Sequence, residues 1–345
     1  MGDKTKVTIY DLAQRLGTTA STVSRALQDN PRISAKTREA VKKMARELNY
    51  IPDPVAHHLR TGRGNVLGII VPRIDRNFFA SIISTFQAVA QKAGYQIIIA
   101  ASNENAEEEH AALRAMIQKK VDGIVISLCV NTPQPAEYAE LCAQHHIPLV
   151  FFDRLPIDSQ DYDTVSNDNF QIGYDAVMQL HRRGCQKIGH FSGPQTQRSY
   201  IDRFRGYRQA LEDLHLEYRQ EWNIPAITIE TGYDAAQKIL QMTDRPDGIF
   251  SAGDFPAITA MDTFRKKGLH IPEDIAIIGV ANEPFDAYLA TPLSSVGLNQ
   301  QRIGEIAANI VLARIKDKDD ESDTEYESPA HMIVKHDLFL RESSI

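Results

Sequence analysis

Cysteine is scarce. There are three (Cys129, Cys142 and Cys185), an odd number with no CxxC pair. That argues against a disulfide framework or a zinc site and fits a reducing cytoplasm, the expected compartment. No apolar run approaches the ~20 residues a membrane helix needs. The opening residues MGDKTKVTIYDL lack an apolar leader, so export is not expected. Enzyme signatures are missing as well: no GxSxG, HExxH or P-loop occurs. GRGNVLG at 62–68 precedes an apolar run instead of following one, and its spacing is wrong for a dinucleotide loop. His57 and His58 are adjacent, so they do not share a helix face and make a poor zinc pair. No catalytic residue, cofactor or metal is assigned, and the chain is not expected to be an enzyme.

Charge is unevenly spread. Residues 1–64 carry 12 Lys+Arg against 6 Asp+Glu, a net of +6, and the rest carries 26 against 39, a net of −13. The overall −7 conceals this. A basic head on an acidic body is expected when only the head meets phosphate. The 345 residues suffice for two or three domains.

Residues 8–27, TIYDLAQRLGTTASTVSRAL, scan as two short helices around a glycine turn. Thr8 and Asp11 stand at N-cap and N3. Leu12, Ala13 and Leu16 line one face, and Gly17 can end the helix with a positive φ. Thr19 caps the second helix, whose Val23, Ala26 and Leu27 face inward. Its other face carries Ala20, Ser21, Thr22, Ser24 and Arg25. Short side chains permit close approach to a major groove, hydroxyls reach phosphates, and one Arg can grip guanine with two bonds. The plain alternative is a helical hairpin that only packs.

A third helix follows Ser34, with Val41, Ala45 and Leu48 at helical spacing. Pro54 suits the first turn of a short basic segment, PDPVAHHLRTGRGN, which is too poor in apolar residues to be a stable helix alone. It reads as a hinge that folds when seated in DNA, or as a plain linker. The body then alternates strands and helices. VLGIIV, YQIIIA, DGIVIS and IPLVFFD are strands, with helices at 78–93 and near 106–120 and 135–146. After Asp168 come KIGHFSG, ITIET, GIFSAGD and IAIIGVA with helices between, and HMIVKHDLFL is a final strand. This rhythm implies two parallel sheets covered by helices, and a cleft between two lobes where a small molecule can bind.

Residues 7–64 resemble the DNA-binding head and hinge of the lactose-repressor (LacI/GalR) family of bacterial transcription regulators. The matching stretches are VTIYDLAQRLG, STVSRAL, RISAKTREAVKKMARELNYIP and AHHLRTGRGN. The remaining chain follows the family with few gaps. The resemblance implies a small all-α helix-turn-helix head plus an α/β two-lobe, periplasmic-binding-protein-like core. It places the head at 1–51, the hinge at 52–64 and the core at 65–345. Lobe 1 then takes about 65–166 and 299–328, and lobe 2 about 167–298 and 329–345. In such a protein Leu59 wedges into the minor groove, flanked by Ala56 and His57.

The resemblance also places effector residues at strand ends. Asn77 and Phe78 follow the first strand, where Phe78 could stack on a ring or serve as a core aromatic. Asp153 and Arg154 face the cleft in family members, or form a surface ion pair. Arg203 stands where the family keeps an effector-binding arginine, while Asp202 and Arg205 read as a solvated face. Asp254 ends GIFSAGD, with Gly253 in place of the family's Asn. The family's GYDD or GFDD is here GVAN, with Ala281 and Asn282, so the usual aspartate is absent and Asn282 is a candidate substitute. The acidic run 317–328 has no family counterpart and reads as a solvated loop; a calcium or partner role is the alternative.

The implied function is a homodimeric, cytoplasmic DNA-binding repressor. It would read a pseudo-palindromic operator in double-stranded DNA, under control of a small-molecule effector, a sugar or sugar derivative. Ala20, Ser21 and Arg25 would read bases. Thr8, Thr19, Thr22, Ser24, Ser34, Thr37 and Tyr50 would meet the backbone. Control by a protein or phosphorylated co-repressor is the alternative. An extracytoplasmic solute-binding protein fits the body alone, but not the basic head.

Overall fold

The structure is a computed structural model, and it describes residues 7–27, 29–50, 64–317 and 328–345. The hinge residues Pro54, Ala56, His57 and Leu59 lie outside them, as does the acidic run between Asp317 and Ser328. The chain divides into two compact units, Met1–Gly64 and Asn65–Ile345.

The first unit holds three helices: α1 (Ile9–Arg15), α2 (Ala20–Leu27) and α3 (Ala35–Glu47). The Thr8 hydroxyl accepts from the Asp11 amide, and the Asp11 carboxylate accepts from the Thr8 amide at 2.7 Å. This capping box satisfies two orphan donors at once. Gly17 sits at φ +59°, which a β-carbon would oppose, and so turns the chain sharply after α1. Thr19 and Ser34 cap the next two helices through the amides of Thr22 (3.3 Å) and Thr37 (3.1 Å). Leu12, Ala13, Val23, Ala26, Val41 and Ala45 form the buried centre, with Leu16, Leu27 and Leu48 packed against it. Lys42 of α3 grips Asp29 in the turn after α2 at 2.6 Å.

The second unit is built on two six-stranded sheets. The first uses β1 (Val66–Val71), β2 (Gln96–Ala101), β3 (Gly123–Ile126), β4 (Leu149–Phe152) and β5 (Asp163–Asn167). Its helices are α4 (Asn77–Lys92), α5 (Ala106–Gln118) and α6 (Pro135–Gln144). The second uses β6 (Ile188–Ser192), β7 (Asn223–Pro225), β8 (Gly248–Ser251), β9 (Ala276–Val280) and β10 (Ser294–Gly297). Its helices are α7 (Asn169–Arg183), α8 (Arg198–Asp213), α9 (Ile229–Gln241) and α10 (Asp254–Lys266). Then α11 (Gln300–Asp317) packs back on α4. The central strands β1, β3 and β9 are apolar and buried almost throughout, because helices cover both faces of a parallel sheet. In α7 and α8, Gly173 and Gly206 let the two backbones touch. A β-carbon on Gly206 would stand 1.9 Å from the Phe170 carbonyl oxygen.

Two expected strands differ from the structure. HMIVKHDLFL is not one strand. β11 (His331–Val334) joins the first sheet beside β5, and β12 (Asp337–Phe339) joins the second, antiparallel to β10. Residues 331–334 therefore belong with the first sheet, not with lobe 2 as expected. Lys335 and His336 lie between the two strands, but nothing local to them shows a change of sheet. ITIET is not a strand either. Thr228 caps α9 with a capping box to Thr231, and the strand is the upstream β7. The β-branched run resembled a strand, but local capping bonds prevailed.

Candidate nucleic-acid interface and effector cleft

In the head, α2 turns Val23 and Ala26 inward. Ser21 and Arg25 are exposed, with Ala20, Thr22 and Ser24 half-buried. Thr19 Oγ1 lies 2.9 Å from Ser21 Oγ and 3.0 Å from Thr22 Oγ1, so these hydroxyls are linked to one another. Ser34 and Thr37 share a similar bond at 2.8 Å. The Arg25 carbonyl accepts from the Asn30 amide at 3.1 Å, but its side chain has no hydrogen bond or ion pair among the described residues. Its guanidinium is free to meet an outside acceptor. Tyr10, 74% exposed on α1, was not singled out from the sequence. Its place two residues after the capping Thr8, turned away from the buried Leu12, is the available signal.

In the core, the strand ends of the two sheets converge. Gln197, at the start of α8, donates through Nε2 to the Cys129 carbonyl at 2.6 Å. Arg198 Nη1 donates to the Ile157 carbonyl at 2.6 Å. The Arg76 guanidinium, at the start of α4, lies 4.0 Å from the Phe255 ring centre on α10. Each contact ties the first lobe to the second.

Arg203 is buried on α8. Its Nε donates to Asn169 Oδ1 at 2.9 Å and its Nη1 to the Ala252 carbonyl at 3.0 Å. Burial pulls its pKa down, against the pull of Tyr200 and Asp153. Asp153 follows β4 at φ +57°. Burial raises its carboxyl above the usual range, although Arg154 and Arg203 oppose the shift. Arg154 is held by Glu104, both carboxylate oxygens at 2.8 Å from Nη1. Burial works against that cation too, but Tyr200, Glu104 and Asp153 outweigh it.

Asp254 begins α10 and is buried. It accepts from Ser295 Oγ at 2.7 Å and from the Glu283 amide at 3.1 Å. Two further acids join it. Burial, then the Asp254 charge, push Glu283 up to about 7 and Asp286 up to about 9. Neither acid stood out in the sequence, because NEPFDAY carries no periodic or metal-ligand spacing.

The structure thus brings Asp153, Arg154, Arg203 and Asp254 within one electrostatic neighbourhood. Asn77 is exposed at the start of α4. Phe78 is buried in the core, edge-on to Phe79 at 5.0 Å, so the core-aromatic reading holds for it. Asn282, at φ +50°, is engaged elsewhere: its Oδ1 accepts from Arg341 at 2.7 Å. Asp202 bonds Arg198 and Arg205 on the surface of α8. Beside this neighbourhood, Ser127 faces the Asp153 carboxyl and helps to lower it, and Gln197 Oε1 is buried without a partner among the described residues. Among the described residues no helix is long and apolar enough to cross a membrane, and no acid, His or Cys group could hold a metal.

Two family models match the chain: bacterial regulatory proteins of the lacI family over residues 8–53, and a periplasmic binding protein domain over residues 67–319. The chain is 31% identical over 315 residues to the HTH-type transcriptional repressor PurR of Escherichia coli, covering 91% of this chain and 92% of that protein. PurR of Klebsiella pneumoniae is 31% identical over 316 residues, with the same shares covered. Among solved structures, a complex of the transcriptional regulator CelR with cellobiose is similar at TM-score 0.73 and 25% identity. It covers 98% of this chain and 99% of its own. The lac repressor dimer bound to operator and the anti-inducer ONPF reaches TM-score 0.85 at 21% identity, over the same shares, which is a likeness of fold.

Proposed function

The chain belongs to the lacI family of bacterial regulatory proteins and is a DNA-binding transcriptional repressor of that family, and we propose that a small molecule held between its core lobes controls it. The molecule is a sugar or sugar derivative, and the working form is a homodimer on a pseudo-palindromic operator. Two heads related by a two-fold axis match two half-sites about one helical turn apart, or a multiple of it.

One observation carries the DNA side. α2 presents Arg25, whose side chain has no partner among the described residues, among short side chains on a helix fixed from behind by Val23 and Ala26. Arg25 reads a guanine edge, with Ala20 and Ser21 against neighbouring bases. Thr8, Thr19, Thr22, Ser24, Ser34, Thr37 and Tyr50 hold the backbone, and Tyr10 joins them. In the hinge, Leu59 with Ala56 and His57 enters the minor groove.

The cross-lobe bonds support control from the cleft. A ligand that prefers one arrangement of the lobes shifts the equilibrium that those bonds define. Gln197 to Cys129, Arg198 to Ile157 and Arg76 over Phe255 are the contacts that opening would break.

Operator selection from random duplex DNA, followed by gel shift of the full chain and of a chain lacking residues 1–64, tests the reading. The full chain should select a pseudo-palindrome, and the truncated chain should keep ligand binding without DNA binding. Selection of no common sequence would overturn it.

A further inference from the structure

The chain crosses between the two sheets of the core three times. β5 of the first sheet leads into α7 on the second, β10 of the second leads into α11 on the first, and β11 of the first leads into β12 of the second. The crossovers are residues 167–168, 298–299 and 335–336, and any motion of the lobes turns on them.

Side-chain amides sew these three segments together. Asn167, only 6% exposed, donates through Nδ2 to the Leu298 carbonyl at 3.1 Å and to the Val334 carbonyl at 2.9 Å. Those partners lie 131 and 167 positions along the chain. Leu298 follows β10 and Val334 ends β11, where the sheet ladders stop and a carbonyl needs another donor. Asn299, at φ +51°, donates through Nδ2 to the Lys335 carbonyl at 2.6 Å and to Asp337 Oδ2 at 3.0 Å. The first crossover is therefore bonded to the second and the third, and the second to the third. The triangle is closed, and Asn167 alone supplies two of its sides. His336 Nε2 lies 3.0 Å from Asp175 Oδ2, which holds the third crossover on α7.

The clamp is also joined to the cleft. Asn169 starts α7 and is buried. Its Nδ2 donates to the Asn167 carbonyl at 3.2 Å, and its Oδ1 accepts from Arg203 Nε at 2.9 Å. Both ends of one amide are engaged, so a shift of the Arg203 side chain pulls on Asn167 through a fixed group. Gly173 and Gly206 already bring the backbones of α7 and α8 into contact, which leaves little slack between the helices.

We infer that Asn167 is a positioning residue that makes the three crossovers turn as one hinge, and that Asn169 ties this hinge to Arg203 in the cleft. Each asparagine acts by where its amide sits, not by touching a ligand or DNA. Unclamped crossovers would let the lobes twist and shear in several directions. Clamped ones leave one axis, so the lobes have few arrangements between which a bound molecule can choose. The hinge stands apart from the identity of the effector, and from whether one binds.

Pulsed electron spin resonance on the full chain measures the distance between the lobes, with spin labels on Lys119→Cys and Lys267→Cys. Both positions are exposed, just past the ends of α5 and α10, and the three native cysteines are buried. Dilution with unlabelled chain isolates distances within one chain. The unaltered protein should give a narrow distribution. Asn167→Ala should widen it at least twofold. Asn167→Ser, which keeps one donor, should fall between the two and guards against an Ala variant that fails to fold. Phe264→Leu, in the apolar core of the second sheet, should lower the melting temperature without widening the distribution. Arg203→Gln, with Arg203→Lys as its milder companion, should move the mean distance in the unaltered chain but not in the Asn169→Ala chain, where the tie is gone.

An unchanged width in both Asn167 variants overturns the clamp, and so does equal widening by Phe264→Leu. The tie to the cleft is overturned if neither Arg203 variant moves the mean distance, or if the shift persists in full beside Asn169→Ala. Failure to select any operator would sink the regulator reading and leave these distances to decide the hinge.

Discussion

The head and the core hold their polar residues in opposite ways. In the head, polar side chains are exposed and bond to near neighbours: Thr8 with Asp11, Thr19 with Thr22, Ser34 with Thr37. In the core cleft they are buried and bond across the chain: Arg203 with Asn169 and Ala252, Gln197 with Cys129. The head is a preformed surface that waits for an external partner. The core is a charged interior whose balance a ligand can shift. A protein that reads DNA with one part and a small molecule with the other needs both designs.

The sharpest break of the comparison is to bury a charge in the head alone. Val23 is fully buried beneath α2. Val23→Asp should cost about 4 kcal/mol or more through an unpaired buried carboxylate. The head should unfold while the core keeps its own melting transition, as seen by calorimetry and by loss of head amide signals. A single transition shifted as a whole would show that the two units are not independent.

Acidity should act in opposite directions on the capping acids of the head and on the buried acids of the core cleft. Hydrogen bonds hold Asp11 and Asp29 below their ordinary range, from Thr8 and Lys42 respectively. Their contribution is present above the unfolded carboxyl pKa and is lost as pH falls through the folded value. Glu283 and Asp286 are raised, to about 7 and about 9. Their folded state binds more protons, so stability is greatest below the unfolded carboxyl pKa. It falls as pH rises from there through about 7 and then about 9. Asp286→Asn should flatten the alkaline side of the core's stability profile without changing the head's. An unchanged slope in urea titrations between pH 5 and pH 9 would count against the buried acid pair.

Next in size is base readout. Arg25→Ala should cost roughly 1–3 kcal/mol per guanine contact and relax preference at that base pair. A selection experiment that returns the same consensus for the variant would remove Arg25 from the reading face. The smallest effect belongs to the cap. Thr8→Ala should cost about 1 kcal/mol of head stability, because two amides at the start of α1 lose their partner or its orientation. Equal chemical-denaturation midpoints for the two heads would show the capping box to be idle.

Most of the head was legible in the sequence, because its determinants are local. Caps, the Gly17 turn and the inward face of each helix lie within a few residues of one another, and all appear where the spacing places them. The alternation of the core was legible too, since buried parallel strands announce themselves as apolar runs. The strands β5 (DTVSN) and β10 (SSVG) are too polar and short to stand out and were not expected, and two further errors arose where two readings share one pattern. ITIET is β-branched but starts a helix, because Thr228 and Thr231 cap it. HMIVKHDLFL reads as one extended stretch but forms two strands in two sheets, parted at Lys335 and His336.

The cleft was legible only as a set of positions. The fold family directs attention to Asp153, Arg203 and Asp254, yet not to what each one touches. Glu283, Asp286, Gln197 and Ser127 carry no spacing signal, for their partners lie far away along the chain. Asn282 looked like an available amide until the final segment brought Arg341 onto it. By itself the sequence determined the capped three-helix head, the parallel sheets and the basic-to-acidic division of charge, because local bonds, periodicity and composition act over short stretches. Tertiary structure alone decided which charges in the cleft are paired among the described residues and which are not. That depends on burial and on distances between residues 34 to 59 positions apart, such as Asn169 with Arg203 and Asn282 with Arg341.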